Sequence, residues 1–249
     1  MHVISTEHLD DHLTEHRFTL DGVPGVLWSP RTTGGPTPLV LLGHPGDLAR
    51  MHPRLLGRAR SCVADGYTAA TLELPGAGGR PRLPAVDAAR AELRRAVRAG
   101  EPVPDAVVER LVTPLVEASV PEWRTLLDAL PGHDPVAWSG GITAIGVRMA
   151  LEPRIAAALL FAGSRLPRAT LDEARRVTVP LLMLLQWDDE GNDRRQALDL
   201  FDALGSDALG RTEKTLHANT GGHTGVPAFE GGAAARFLAR HLRCRGRSG

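Results

Sequence analysis

Short apolar runs, each followed by a stretch with helical spacing, set the limits on what this chain can become. Leu39-Val40-Leu41-Leu42 is apolar at every position, as a strand buried on both faces must be. Segments 68–74, 155–161, 180–186 and 213–217 also read as strands, as does Asp134-Pro135-Val136-Ala137-Trp138. Helices fit between them: 53–64, 142–151, 194–204 and 228–242. Nearer the N-terminus, 17–20 and 23–29 read as two strands joined by the turn signal Asp21-Gly22. Alternation of this kind predicts the α/β class. The sheet should be mostly parallel and doubly wound, with about eight strands and right-handed crossovers. A hydrophobic content of 43% is ample for a core, and the 249 residues are expected to form a single domain.

In an open parallel sheet ligands bind at the carboxyl ends of the strands, so the residues just after each strand carry the functional question. Four such stretches stand out: Gly43-His44-Pro45-Gly46, Ser139-Gly140-Gly141, Trp187-Asp188-Asp189-Glu190, and Asn219-Thr220-Gly221-Gly222-His223. Ala137-Trp138-Ser139-Gly140-Gly141 has the shape of a strand-to-helix turn that exposes a nucleophilic serine. Two registers fit it. Ser139 at the tip gives an active hydroxyl; Gly140 at the tip gives none and puts Ile142 where the turn wants a glycine. A serine hydroxyl is a poor nucleophile without a base beside it. Histidine serves because it accepts and returns a proton near neutral pH, and a carboxylate fixes its tautomer. Ser139, then Asp188 or Asp189, then His223 follow in that chain order, while His217 fits less well because it lies on the strand. Each residue also has a structural reading: Ser139 as a turn or cap residue, Asp189 as a helix-capping acid, His223 as a loop residue. His44 reads as a brace for its loop, and Trp138 and Trp187 as core residues or as walls of a binding site.

Residues 82–121 differ from the rest, being rich in Ala, Arg and Glu and punctuated by prolines. They read as two helices, 85–99 and 105–118, with a third helix at 121–130. Arg90, Arg94, Arg95 and Arg98 form a basic stripe on the first, read as a solvated face. Residues 1–15 read as a loosely held polar lead-in, in which His8, His12 and His16 would share one face of a helix. No closed set of metal ligands accompanies them, so no metal site is expected. Cys62 and Cys244 have neither metal-ligand nor disulfide-framework spacing.

With these residues in place, the chain resembles the α/β-hydrolase superfamily, and within it the dienelactone-hydrolase-like serine esterases. The resemblance spans residues ~16–243 and rests on element order together with four motifs. These are Leu-Leu-Gly-His-Pro-Gly at 41–46, Ala-Trp-Ser-Gly-Gly at 137–141, Gln-Trp-Asp-Asp at 186–189 and Gly-Gly-His at 221–223. It implies Ser139 as nucleophile, Asp189 in preference to Asp188 as acid, and His223 as base. Gly140 and Gly46 would supply the oxyanion N–H groups, since Pro45 has none. His44, Trp138 and Trp187 would border the substrate. The insertion at 82–121 would act as a partial lid. The implied activity is hydrolysis of a carboxylic ester, lactone or similar acyl bond through an acyl-enzyme on Ser139, without metal or organic cofactor. A non-catalytic small-molecule binding protein and an acyltransferase on the same fold are the alternatives. An aspartate at the turn would have pointed to dehalogenase or epoxide chemistry; the serine does not.

Bulk properties narrow the partners. The 29 basic and 29 acidic residues cancel, which argues against nucleic acid or a charged membrane surface. The N-terminus has no apolar signal region and no run is long enough to span a bilayer, so a cytoplasmic location is expected. The expected partner is a small-molecule acyl substrate, with homodimer formation left open.

Overall fold

The apolar runs are realised as strands of one nine-stranded sheet, ordered β1-β2-β3-β5-β4-β6-β7-β8-β9. The computed structural model describes residues 1–31, 35–161, 165–208, 212–223 and 226–242; Gly34 and Cys244 lie outside them. β1 (His2–His8), β2 (Leu13–Leu20) and β3 (Val23–Pro30) form an antiparallel meander, and β3 runs antiparallel to β5. β4 (Leu39–Gly43), β5 (Thr68–Leu72), β6 (Val136–Gly140), β7 (Ile155–Phe161), β8 (Leu181–Gln186) and β9 (Lys214–Asn219) are mutually parallel. The expected hairpin is present: Asp21 and Gly22 both take positive φ, 50° and 83°, as a tight two-residue turn requires.

Side chains alternate between two core layers, as a doubly wound sheet demands. Leu39 and Leu41 face one side, in the layer that also holds Val116, Trp123, Ala144 and Leu200. Val40 and Leu42 face the other, with Leu55, Ala59 and Phe237. The first layer belongs to helices α2 (Pro84–Ala99), α3 (Asp105–Ala129), α4 (Thr143–Met149), α5 (Arg168–Arg175) and α6 (Arg194–Ala203). The second belongs to α1 (Leu48–Ala64) and α7 (Phe229–Leu242). Among the described residues no helix is long and apolar enough to cross a membrane.

Two expectations about elements are corrected. The N-terminal segment is not a loose lead-in but an edge strand, which makes nine strands where about eight were expected. Its histidines therefore do not share a helix face. His8 bonds Thr14 and His16 bonds Thr6, each at 3.0 Å across the β1–β2 ladder. All seven residues of β1 are exposed, so it has no buried face to imprint an alternation on the sequence. Residues 105–129 form one helix of 25 residues, not two, although Pro114 and Pro121 lie inside it. Each proline removes a helical hydrogen bond, but the buried stripe from Val107 to Leu127 holds the helix through both breaks.

Cys62 lies on the buried face of α1, and burial pushes its thiol up to about 11. At about pH 8 the folded chain is expected to leave Cys62 unmodified by iodoacetamide when mapped by peptide digestion. Rapid modification would mean that α1 does not stay packed.

Candidate active site

β6 lies between β4 and β7 and delivers Ser139 to the carboxyl end of the sheet, opposite Leu42 and Leu159. The chain then turns sharply. Gly140 and Gly141 take φ of +77° and +79°, a region that favours glycine, and α4 begins two residues later. Ser139 is not among the residues with positive φ and remains a strand residue. The positive-φ residues of the turn are thus Gly140 and Gly141, with Ser139 immediately before them. Trp138 stiffens the turn by donating its Nε1–H to the Gly140 carbonyl at 2.9 Å.

Arg58, from α1, lies across this turn. Its Nη2 donates to the Ser139 carbonyl at 2.7 Å and to the Ser139 hydroxyl at 2.8 Å, and its Nη1 to the Gly43 carbonyl at 3.2 Å. A Cβ built on Gly140 would stand 3.0 Å from Nη2, so the guanidinium occupies the space that a side chain at that position would enter. Burial lowers the Arg58 pKa, because charge is disfavoured away from water. Sequence reasoning missed this residue. The available signal was a basic residue one turn from Leu55 and Cys62, on the stripe that α1 buries.

An acid–base pair forms between the loops after β8 and β9. Asp189 Oδ2 accepts from His223 Nδ1 at 2.7 Å and from Asn192 Nδ2 at 2.6 Å; its Oδ1 accepts the Gly191 N–H at 2.9 Å. Burial by itself would raise the Asp189 pKa. The Asn192, His223 and Gly191 donors outweigh it, so the carboxyl is held below its ordinary value. Asp188 instead meets the Gly221 N–H, at 3.4 Å. Asp189 is thus the aspartate that pairs with His223. With Nδ1 engaged, Nε2 is left for the cavity that His223 borders. His217, on β9, is drawn into a separate pair with the buried Glu230 at 2.8 Å.

Ser139, Gly140 and His223 border a common cavity of about 700 Å³, with Asp189 behind His223. Its walls come from α1, the strand ends, α2 through Arg90 and Leu93, and α3 through Leu111 and Leu115. Ser139 and His223 are not hydrogen-bonded to each other; the hydroxyl is bonded to Arg58.

Four expected site residues fall elsewhere. His44 is buried, with Nε2 on the Leu72 carbonyl at 2.9 Å and a pKa lowered chiefly by burial. It braces its loop, the structural reading of that residue. Trp138 is core, 1% exposed and edge-on to Trp123 with ring centroids 5.0 Å apart. Trp187 is exposed under the Arg194 guanidinium and is not in the cavity wall. Gly46 is also outside the wall; its neighbour Pro45, which has no N–H to give, is the residue that borders the cavity. Among the described residues no group of three or more His, Cys, Asp or Glu is placed to hold a metal ion.

No model of a known protein family matches the sequence, and no curated protein matches it either. Solved structures do. The chain is similar to a cold-adapted esterase from an Arctic intertidal metagenomic library, with 30% identity and a TM-score of 0.69 over 96% of this chain and 98% of that one. An acetyl xylan esterase from Paenibacillus sp. R4 has 14% identity and a TM-score of 0.63, over 96% and 87%. A Klebsiella pneumoniae protein named for dienelactone hydrolase has 16% identity and a TM-score of 0.59, over 87% and 91%. The last two likenesses concern the fold alone.

Proposed function

The chain belongs to the α/β-hydrolase superfamily, and on that premise we propose that it hydrolyses a carboxylic ester, lactone or similar acyl bond. The observation that carries this reading is the 2.7 Å Asp189–His223 pair beside a cavity that Ser139 also borders. In the proposed reaction Asp189 holds His223 in the tautomer with its proton on Nδ1. Ser139 Oγ exchanges its Arg58 bond for one to His223 Nε2, loses its proton to that nitrogen, and attacks the acyl carbon. The Gly140 N–H, next to the nucleophile, is the assigned oxyanion donor. The tetrahedral intermediate collapses, His223 returns the proton to the leaving oxygen, and the acyl group remains on Ser139. Water, deprotonated by His223, then attacks the acyl-enzyme and releases the acid and Ser139. Helices α2 and α3 serve as a partial lid, which their residues in the cavity wall support.

A second reading is favoured by the Gly140-Gly141 turn and by the Arg58 guanidinium beside it. In that reading the cavity binds its ligand without turnover. A fluorophosphonate probe separates the two. Labelling of the wild type that disappears in Ser139→Ala is expected for the hydrolase; a wild type that takes no label favours binding alone. If labelling survives in Ser139→Ala, a different hydroxyl is the nucleophile.

A further inference from the structure

The cavity has an unusual charge for so apolar a space. Three arginines border it, Arg54 and Arg58 from α1 and Arg165 from the segment after β7. Among the described residues none of the three forms an ion pair. Arg58 spends its donors on two carbonyls and the Ser139 hydroxyl, and Arg165 donates to the Gly191 carbonyl. Arg90 also borders the cavity, but it is paired with Asp87 at 2.9 Å, a carboxylate it shares with Arg82. Among the described residues the one carboxylate in the wall, Glu230, is already held by His217 and Asn219, both at 2.8 Å. The rest of the lining is largely aliphatic, from Met51, Leu55, Leu93, Leu111 and Leu115 on the helices.

Arg54 is exposed, but Arg58 and Arg165 are partly buried cations without counter-charges beside an aliphatic space, which is costly unless something anionic joins them. A guanidinium presents five donors in a planar fork suited to a carboxylate, and Arg58 uses only part of that set here. A cavity of about 700 Å³ is also of the size that encloses a small ligand.

We propose that the cavity takes an amphipathic carboxylate, with its anionic end at Arg54, Arg58 and Arg165 and its hydrocarbon body against the helical wall. This rests on the hydrolase reading only for its kinetic consequence: the preferred substrate is an ester that carries a second, free carboxylate. Recognition of the anion does not itself require turnover.

The test has a binding arm and a kinetic arm. In the first, decanoate and its neutral isostere decanamide are titrated into the folded protein by calorimetry. Decanoate should bind at least about tenfold more tightly, as a charge-assisted hydrogen bond outweighs a neutral one. The preference should shrink in Arg54→Gln and Arg58→Gln, and with added salt. Arg54→Gln is the safer variant, since Arg54 is exposed at the cavity mouth while Arg58 braces the turn. In the second arm, monoethyl sebacate should be cleaved with a kcat/KM at least about tenfold above diethyl sebacate. Equal binding of decanoate and decanamide, or a preference untouched by both substitutions, overturns the proposal. Selective decanoate binding with neither ester cleaved leaves the anion site standing and removes the hydrolase reading. Cleavage of both esters at equal rates, with no preference in binding, does the reverse.

Discussion

Asp189→Asn is expected to lower kcat for a p-nitrophenyl ester by about 10⁴-fold while the protein stays folded. The reason is hydrogen-bond parity. Asp189 accepts three donors: Gly191 N–H on Oδ1, and His223 and Asn192 on Oδ2. An asparagine has only one accepting atom. If its amide nitrogen takes the Oδ2 place, it faces the Asn192 amide and forces His223 to accept at Nδ1. The proton then sits on Nε2, where the base should be empty. If the nitrogen takes the Oδ1 place, it faces the Gly191 N–H, and the loop that orients His223 is strained. Removing the imidazole in His223→Ala should reach a similar floor, because the groups act as one unit. A drop below about tenfold in both variants would mean that His223 is not the base. The same pair has a stability consequence. Asp189 has a folded pKa below its ordinary value, so its contribution is present above about pH 4 and is lost as pH falls through the folded pKa.

The parts of this site that the sequence displays are those set by strand periodicity. Buried parallel strands are continuous apolar runs, so their ends, and with β8 the loop that carries Asp189, can be placed from residue types alone, whereas His223 follows the part-exposed edge strand β9 and is marked by its Gly-Gly-His turn. The alternation of Leu39 and Leu41 with Val40 and Leu42 between two core layers is the physical form of that signal. Contacts between distant segments leave no such trace. Arg58 meets Ser139 across 81 positions of sequence, and nothing local to either residue announces the other. β1 escapes for the opposite reason: it buries no side chain, so only its pairing with β2 defines it. The fused α3 shows packing overriding a local rule, since prolines that would end an exposed helix are held by the core they flank. The turn register is the subtlest case. Ser139-Gly140-Gly141 permits two placements, and the choice depends on where Arg58 and Trp138 leave room, which no residue of the turn encodes by itself.

Trp138→Ala is expected to cost about 3–5 kcal/mol of unfolding free energy, read from chemical denaturation. The indole is 1% exposed and edge-on to Trp123, so its loss opens a cavity between α3 and β6. The neighbouring glycines are fitted to the ring: a Cβ on Gly43 would come within 2.7 Å of it, and one on Gly146 within 2.7 Å of Nε1. Those residues have no side chain with which to fill the space, which places the cost at the upper part of that range. The Gly140 carbonyl would also lose its 2.9 Å donor, and with it one restraint on the turn. Trp138→Phe keeps most of the packing but no N–H, so it should lose less stability while still loosening the turn. A residue bordering the substrate would behave differently, raising KM with little change in unfolding. A loss below about 1 kcal/mol in Trp138→Ala, joined to a raised KM, would therefore return Trp138 to the cavity wall and overturn its place in the core.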